Sequence, residues 1–241
     1  MTNNQNSLQL VEFYDKLYRQ KQSLAMRPLA AYESLVREFN LAASRGCFLD
    51  VACGTGLLLK TLATLGFETY GVDISPEAVQ VSQKNSPSSK VMVGRAEKLP
   101  FADNFFDYVS CLGSIEHFSD INQGIKELWR VAKTEAKFFL IVPNRDYFGW
   151  WFKSKKGTHQ REIGEELKSL SQWLVIFRQN DLEILKVAKD NWPYQSLAWF
   201  YSYNPLKITK RLIFKIFWRL LPVKYTYQFI ILAKKKNIYG S

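Results

Sequence analysis

Three features of this 241-residue sequence predict a doubly wound α/β fold with a mostly parallel sheet. Strand-like and helix-like segments alternate from residue 46 to residue 143. The strand-like segments are short, apolar and bounded by Gly or Pro. One of them, KFFLIVP (137–143), is apolar throughout, the pattern of a strand buried on both faces. Alternating units of this length build a sheet covered by helices on both sides.

Residues 8–45 read as helical, with no Gly before Gly46 and a single Pro, Pro28. CFLDVAC (47–53) is an apolar run between Gly46 and Gly54. Residues 56–65 are helical in pattern and stop at Gly66. FETYGVDI (67–74) is strand-like. Ser75-Pro76-Glu77 is a helix start, with Ser75 as N-cap and Pro76 in the first turn. KVMVG (90–94) and FDYVSCL (106–112) are further strands. Residues 121–133 carry helical spacing at Ile121, Ile125, Leu128 and Val131. Beyond Pro143 the sequence predicts a polar and aromatic loop over 144–162, a helix near 164–178 and a strand near 182–189. An aromatic stretch covers 191–204. A basic amphipathic helix over 205–221 and a final strand, YTYQFIILA (225–233), complete the chain.

Hydrophobic residues make up 47% of the chain and charged residues 23%, so most of it can bury a core. The three cysteines, Cys47, Cys53 and Cys111, form no CxxC pair, which argues against a zinc ribbon or a disulfide scaffold. No run of about 18 uncharged apolar residues offers a membrane span. The opening MTNNQNSLQL has no basic residues before an apolar run, so a cytoplasmic setting is the expectation. Charge is uneven. Asp190 is the last acid, and residues 191–241 hold nine bases and supply +9 of the net +11. Such an end points to an anionic partner.

The sharpest local signal is FLDVACGTG (48–56). A strand carrying an acid runs into Gly54-Thr55-Gly56 and then a helix. The glycines let the backbone turn tightly and approach a ligand. Asp73 follows nineteen residues after Gly54, at the end of the next strand, where a carboxylate can accept bonds from both ribose hydroxyls. A dinucleotide fingerprint would need a third glycine, and that position is Leu59. Asp50 adds negative charge near the turn. It repels a pyrophosphate and attracts an ammonium, so the site suits an adenosine cofactor with a cationic amino-acid end.

From these residues the chain resembles the class I S-adenosylmethionine-dependent methyltransferases, in particular the small-molecule branch called methyltransferase type 11. The resemblance runs over roughly 46–145. It rests on FLDVACGTG, GVDIS (71–75), RAEKLPFADNFFDYVSCLGSIEHF (95–118) and VPN (142–144), in that order. It implies a Rossmann-like methyltransferase fold with seven strands, the last antiparallel, and S-adenosyl-L-methionine as cofactor. By the same resemblance Asp50, Ala52, Gly54, Thr55 and Gly56 hold the methionine end, Asp73 the ribose and Ile74 a face of the adenine. Ala96 and its neighbour Glu97 line the adenine edge, and Leu112 and Gly113 lie beside the sulfonium. The family often has an acid where this chain has Arg95, and an Arg cannot accept a bond from the adenine amino group. The resemblance further suggests a helical cap over 1–45, a cofactor-binding core over 46–145, and a remainder, 146–241, with the substrate-side loop, the basic helix and the last strand.

Methyl transfer to an alcohol or phenol needs a base. The two histidines, His117 and His159, are the candidates; a packing role is the alternative for each. Tyr14, Tyr18 and Glu116 are candidate substrate contacts. Glu116-His117 resembles a pair that in some quinone-pathway O-methyltransferases joins another glutamate to bind a metal. That third position is Gly113 here, so no metal is expected. The expected activity is methyl transfer to a small-molecule or lipid-linked acceptor, at oxygen. The alternatives are an RNA or protein methyltransferase docking through the basic end, or a non-catalytic binding protein. The chain has no NPPY-like motif and no separate RNA-binding module, which argues against nucleic acid.

In 205–221, Lys207, Lys210, Arg211, Lys215 and Arg219 fall on one half of a helix at about 100° per residue. Leu206, Leu212, Ile213, Ile216, Phe217 and Leu220 take the other half, and Phe214 and Trp218 sit among the bases. This pattern predicts an interfacial helix at an anionic membrane surface, with Phe214 and Trp218 inserting. Peripheral attachment at the inner face of a membrane would follow. The alternative is an apolar side packed on the sheet edge and a basic side in water. Oligomeric state is not legible in the sequence.

Overall fold

The computed structural model describes residues 3–20, 27–152, 166–191 and 205–236. Seven strands form one sheet: β1 Cys47–Val51, β2 Glu68–Asp73, β3 Lys90–Val93, β4 Phe106–Leu112, β5 Ala132–Pro143, β6 Leu182–Lys189 and β7 Gln228–Lys235. Their order is β3-β2-β1-β4-β5-β7-β6. The first five run parallel, and β7 lies antiparallel between β5 and β6. The helices are α1 Asn3–Arg19, α2 Leu29–Glu38, α3 Leu57–Thr64, α4 Pro76–Asn85, α5 Ile121–Val131, α6 Leu170–Gln179 and α7 Pro205–Leu220. The doubly wound, seven-stranded fold with an antiparallel last strand is therefore present.

Two-sided burial of β5 explains its unbroken apolar run. Phe138, Leu140 and Val142 join a core closed by α5 and α6, through Ile125, Leu128, Trp173 and Phe177. Phe139 and Ile141 point the other way, toward Val36, Leu58 and Leu62 on one side and Leu35 on the other. Successive strand residues alternate faces, so a strand covered on both sides must be apolar at every position. Ser75 caps α4 by accepting from the Ala78 amide at 3.1 Å, and Pro76 occupies the first turn as the sequence predicts.

Three boundaries differ from the sequence expectation. β5 begins at Ala132, not 137, because Ala132 pairs with Phe106 before a register shift; the intervening KTEA carries no strand pattern. α6 begins at Leu170, where Ser169 and Gln172 form a capping box. β7 begins at Gln228, since Val223–Tyr225 form a 3₁₀ turn whose end is held by Thr226.

The expectation for α7 needs a larger correction. Trp218 is buried, stacks on Phe214 and donates its indole N–H to Asn191 at 3.0 Å. Phe148, in the 3₁₀ turn Phe148–Phe152, packs against Phe217 and Trp218. Lys189 donates to the carbonyls of Trp218 and Arg219, closing the C-terminal turn. The Phe214–Trp218 side therefore holds the helix to the protein and does not insert elsewhere. Nor is the apolar side packed on the sheet: Leu212, Ile213, Ile216, Phe217 and Leu220 are all exposed.

Candidate active site

The strand order reverses between β1 and β4, which places a crevice beyond their carboxyl ends, where open α/β sheets bind ligands. A cleft of ≈ 590 Å³, open to solvent, lies there. Its floor comes from Val51 and Ala52 at the end of β1, from Val72, Asp73 and Ile74 at the end of β2, and from Gly94 to Glu97 after β3. Ser114, His117, Phe118 and Ser119 form the wall after β4.

The roof is α1. Leu10, Tyr14 and Tyr18 recur every four residues, so one helix face looks into the cleft. Polar contacts seat this helix on α4: the Ser75 hydroxyl donates to Asp15, and Arg19 pairs with Glu77 at 2.8 Å. Tyr14 meets His117 edge-on, with ring centroids 6.4 Å apart.

Below the roof the glycine turn takes a left-handed course. Gly54 has φ 52° and Gly56 has φ 70°. A Cβ on Gly56 would stand 2.1 Å from the Ser82 hydroxyl, and one on Gly54 would stand 2.8 Å from the Tyr18 hydroxyl. At Gly56 a side chain is excluded, and at Gly54 it would be strained and would displace the Tyr18 hydroxyl. Ala52 also has positive φ, 58°, a costly conformation for a residue with a side chain.

Asp73 organises this turn. One carboxylate oxygen accepts from the Gly54 amide at 2.8 Å and the other from the Ser75 amide at 3.0 Å. A carboxylate has about four acceptor sites, so capacity remains for a ligand in the cleft. Burial raises the Asp73 pKa, and the backbone bonds counter it. Tyr18 is raised well above its usual value by burial and by the nearby Asp73 charge, so its phenol stays protonated.

Asp50 sits deeper, on β1, and does not line the cleft. Ser110 on β4 donates to it at 2.6 Å. Burial pushes its carboxyl up to about 7, against the pull of the Ser110 bond. Nearby, Arg27 donates to both oxygens of the buried Asp190 and, at 2.8 Å, to Gln228 on β7. Burial opposes the Arg27 charge, but Asp190 outweighs it. Tyr32 on α2 is pushed up to about 12 by burial, partly relieved by Arg27.

Of the sequence-predicted residues, the cleft brings together Ala52, Asp73, Ile74, Ala96, Glu97, His117, Tyr14 and Tyr18. Asp50, Gly54, Thr55, Gly56, Leu112 and Gly113 lie outside its lining. Thr55 turns its carbonyl to Asn85 at 2.8 Å, and Leu112 packs beside Leu35 and Ile141. Glu116 is buried in the 3₁₀ turn Ile115–His117, its carboxylate 3.9 Å from the His117 Nε2. His159 lies outside the described residues. Arg95, the departure from the family pattern, points its guanidinium to Ser119 at 2.9 Å and to Glu97 at 3.5 Å. No metal-binding group of His, Cys, Asp or Glu occurs among the described residues.

Residues 49–140 match the model of the methyltransferase domain Methyltransf_11. Over these residues the chain is similar to the methyltransferase domains of the type 11 branch. An uncharacterized methyltransferase, YcgJ of Bacillus subtilis, is 31% identical over 163 residues, 63% of this chain and 62% of the relative. A demethylmenaquinone methyltransferase of Chlorobaculum parvum is 41% identical over 96 residues, 39% of this chain and 40% of the relative. The chain thus spans less than two thirds of the length of these relatives. The crystal structure of the PH0226 protein of Pyrococcus horikoshii covers 92% of this chain and 99% of its own at TM-score 0.64 and 20% identity, a likeness of fold.

The residues present fit S-adenosyl-L-methionine, the cofactor of methyltransferase domains of this kind. The cleft lies at the ends of β1, β2 and β4, the glycine turn leaves room for backbone approach, and Asp73 keeps acceptor capacity. The motif search missed the cleft residues Leu10, Ser114, Phe118 and Ser119, and the Arg27–Asp190–Gln228 cluster. The spacing of Leu10 with Tyr14 and Tyr18 was a usable signal for the first. Nothing local marks the cluster, whose members are 163 and 201 residues apart. Burial pushes the Cys53 and Cys111 thiols well up, so neither supplies a thiolate.

Proposed function

We propose that this protein transfers a methyl group from S-adenosyl-L-methionine to a small-molecule or lipid-linked acceptor, at oxygen. The observation that carries this reading is Asp73, which lines the cleft beside the glycine turn and accepts from a backbone amide on each carboxylate oxygen. A quinone-type acceptor is supported by the demethylmenaquinone methyltransferase among the relatives. On this reading residues 1–45 act as a cap, 46–145 as the cofactor core and 146–241 as the acceptor side.

Bound in the cleft, the cofactor supplies a methyl group made electrophilic by a positively charged sulfur. The chain's own residues bind, align and exclude water. Asp73 holds the ribose, Ile74 and Ala96 flank the adenine, and Glu97 offers the acceptor that Arg95 lacks. Asp50 provides the counter-charge for the ammonium of the methionine end, beside Gly54, Thr55 and Gly56. Leu112 and Gly113, ending β4, border the reacting region. Tyr14 and Tyr18 close the roof. His117 takes the proton from the acceptor hydroxyl at Nε2 or Nδ1, and the Glu116 carboxylate favours the imidazolium that results. His159 is the second candidate base.

Calorimetry with S-adenosylhomocysteine tests the core of this proposal. Hydrogen bonds to a charged group are worth about 1.5–3 kcal/mol each, so Asp73→Ala should bind at least about tenfold more weakly while remaining folded. Equal affinity in the variant removes the ribose assignment, and no binding by the parent protein removes the methyltransferase reading.

A further inference from the structure

We propose that α7 docks the protein on an anionic lipid bilayer with its outward apolar arc inserted between the headgroups. Leu212, Ile213, Ile216, Phe217 and Leu220 are 44–77% exposed, five large apolar side chains on one helix. At about 100° per residue they span an arc of roughly 140°. Contiguous apolar surface of this kind marks an interaction site. Trp151, 74% exposed, is carried by the 3₁₀ turn whose Phe148 packs on Phe217.

Charge selects the occupant. On the helix circle Lys210 stands at one border of the apolar arc, and Arg219 and Lys215 stand at the other. All three are exposed. Long basic side chains at the borders can reach phosphates while the apolar centre enters the acyl boundary. No acid follows Asp190, so nothing along this part of the chain opposes an anionic surface. A protein groove of mixed charge would not call for such a one-signed frame. No described helix is long and apolar enough to cross a membrane, so α7 lies on the surface.

The helix is also held for the task. Trp218, Phe214 and Leu221 face the protein, and Lys189 ties the C-terminal turn to β6, so the exposed arc is presented on a fixed support. β6 ends, and β7 begins, at the end of the sheet where the parallel strands also end: Lys189 pairs with Phe229, and Pro143 with Gln228. The connection that carries α7 therefore emerges on the same side of the sheet as the cleft. If methyl transfer to a lipid-linked acceptor is correct, docking brings that acceptor's phase to the cleft side. The docking itself does not depend on that reading.

Sedimentation with vesicles tests the proposal on the full chain. The protein should bind phosphatidylglycerol-containing vesicles and not pure phosphatidylcholine. Raising ionic strength from about 0.1 M to about 1 M shortens the screening length from about 10 Å to about 3 Å and should weaken binding strongly. Ile213→Ser with Ile216→Ser should lower vesicle affinity at least about tenfold at low salt, with an unchanged melting temperature and unchanged S-adenosylhomocysteine affinity. Lys210→Gln and Arg219→Gln should each cost about fivefold. Indifference of the parent protein to anionic vesicles at low salt overturns the proposal. So does a concentration-dependent dimer that the Ile213→Ser/Ile216→Ser variant dissolves, for the arc would then be covered by a second copy. Competition by RNA that equals competition by anionic vesicles overturns it in favour of nucleic acid.

Discussion

Replacing Asp50 by Asn should stabilise the cofactor-free protein above neutral pH and weaken its hold on the cofactor. The side chain is buried, with Ser110 as its hydrogen-bond donor. Its carboxyl is raised from 3.8 to about 7, with burial as the main cause. A raised carboxyl pKa means that the folded state keeps a proton that the unfolded chain releases. Stability linked to this group is complete below about pH 3.8, falls as pH rises, and levels off above about 7. The difference of about 3 pK units corresponds to about 4 kcal/mol over the whole window, and about 3 kcal/mol of that lies above pH 5. Asn has nearly the same shape, can still accept from Ser110 and does not titrate. Urea unfolding of both proteins between pH 5 and pH 8 reads the effect. With a slope of about 3 kcal/mol per molar, the parent midpoint should drop by about 1 M relative to the variant across that range. Cofactor binding should move the other way. Below pH 7 the parent's affinity for S-adenosylhomocysteine should rise about tenfold per pH unit as Asp50 ionises to meet the ammonium, whereas the variant's should stay low and flat. Parallel stability profiles for the two proteins would refute the buried-carboxyl argument. Parallel binding profiles with unchanged affinity would refute the ammonium role alone.

Two further outcomes follow from the site. His117→Gln should lower turnover by about 10²–10⁴ with near-normal cofactor affinity, since it removes a base without touching Asp73; equal turnover would move the role to His159 or to a preformed acceptor anion. Arg27→Ala leaves Asp190 buried without its cation, and urea unfolding should show a loss of about 3–5 kcal/mol, much of it recovered by adding Asp190→Asn.

Most strands were legible because each is a short apolar run with Gly, Pro or a polar turn at its end. The same locality made Ser75 and the glycine turn readable, for a cap and a left-handed turn depend on neighbours in sequence. What escaped depends on distant partners. The start of β5 at Ala132 is set by Phe106, and the Arg27 cluster by residues of β7 and the end of β6. The case of α7 is instructive. Its two faces were read correctly as apolar and basic, but which side met the protein was decided by Phe148 and Asn191, 70 and 27 residues away from Trp218. Among site residues, Asp73 and His117 were found by position at strand ends. The buried rank of Asp50, behind the cleft floor, was not, because depth along a strand end has no sequence mark.

The position of β7 also constrains how the chain is made. Among the described residues β6 pairs with no strand except β7, and β7 fills the gap beside β5. While residues 228–235 are still being synthesised, β5 has an open edge of apolar backbone and β6 has no ladder at all. The nascent protein can assemble its cofactor half early, but its other half waits for the last strand. An open β5 edge is a template for pairing with another unfinished chain. Chaperone dependence and loss to aggregates should therefore concentrate before residues 228–235 are made, and a chain stopped before Gln228 should be insoluble although β1 to β4 are intact.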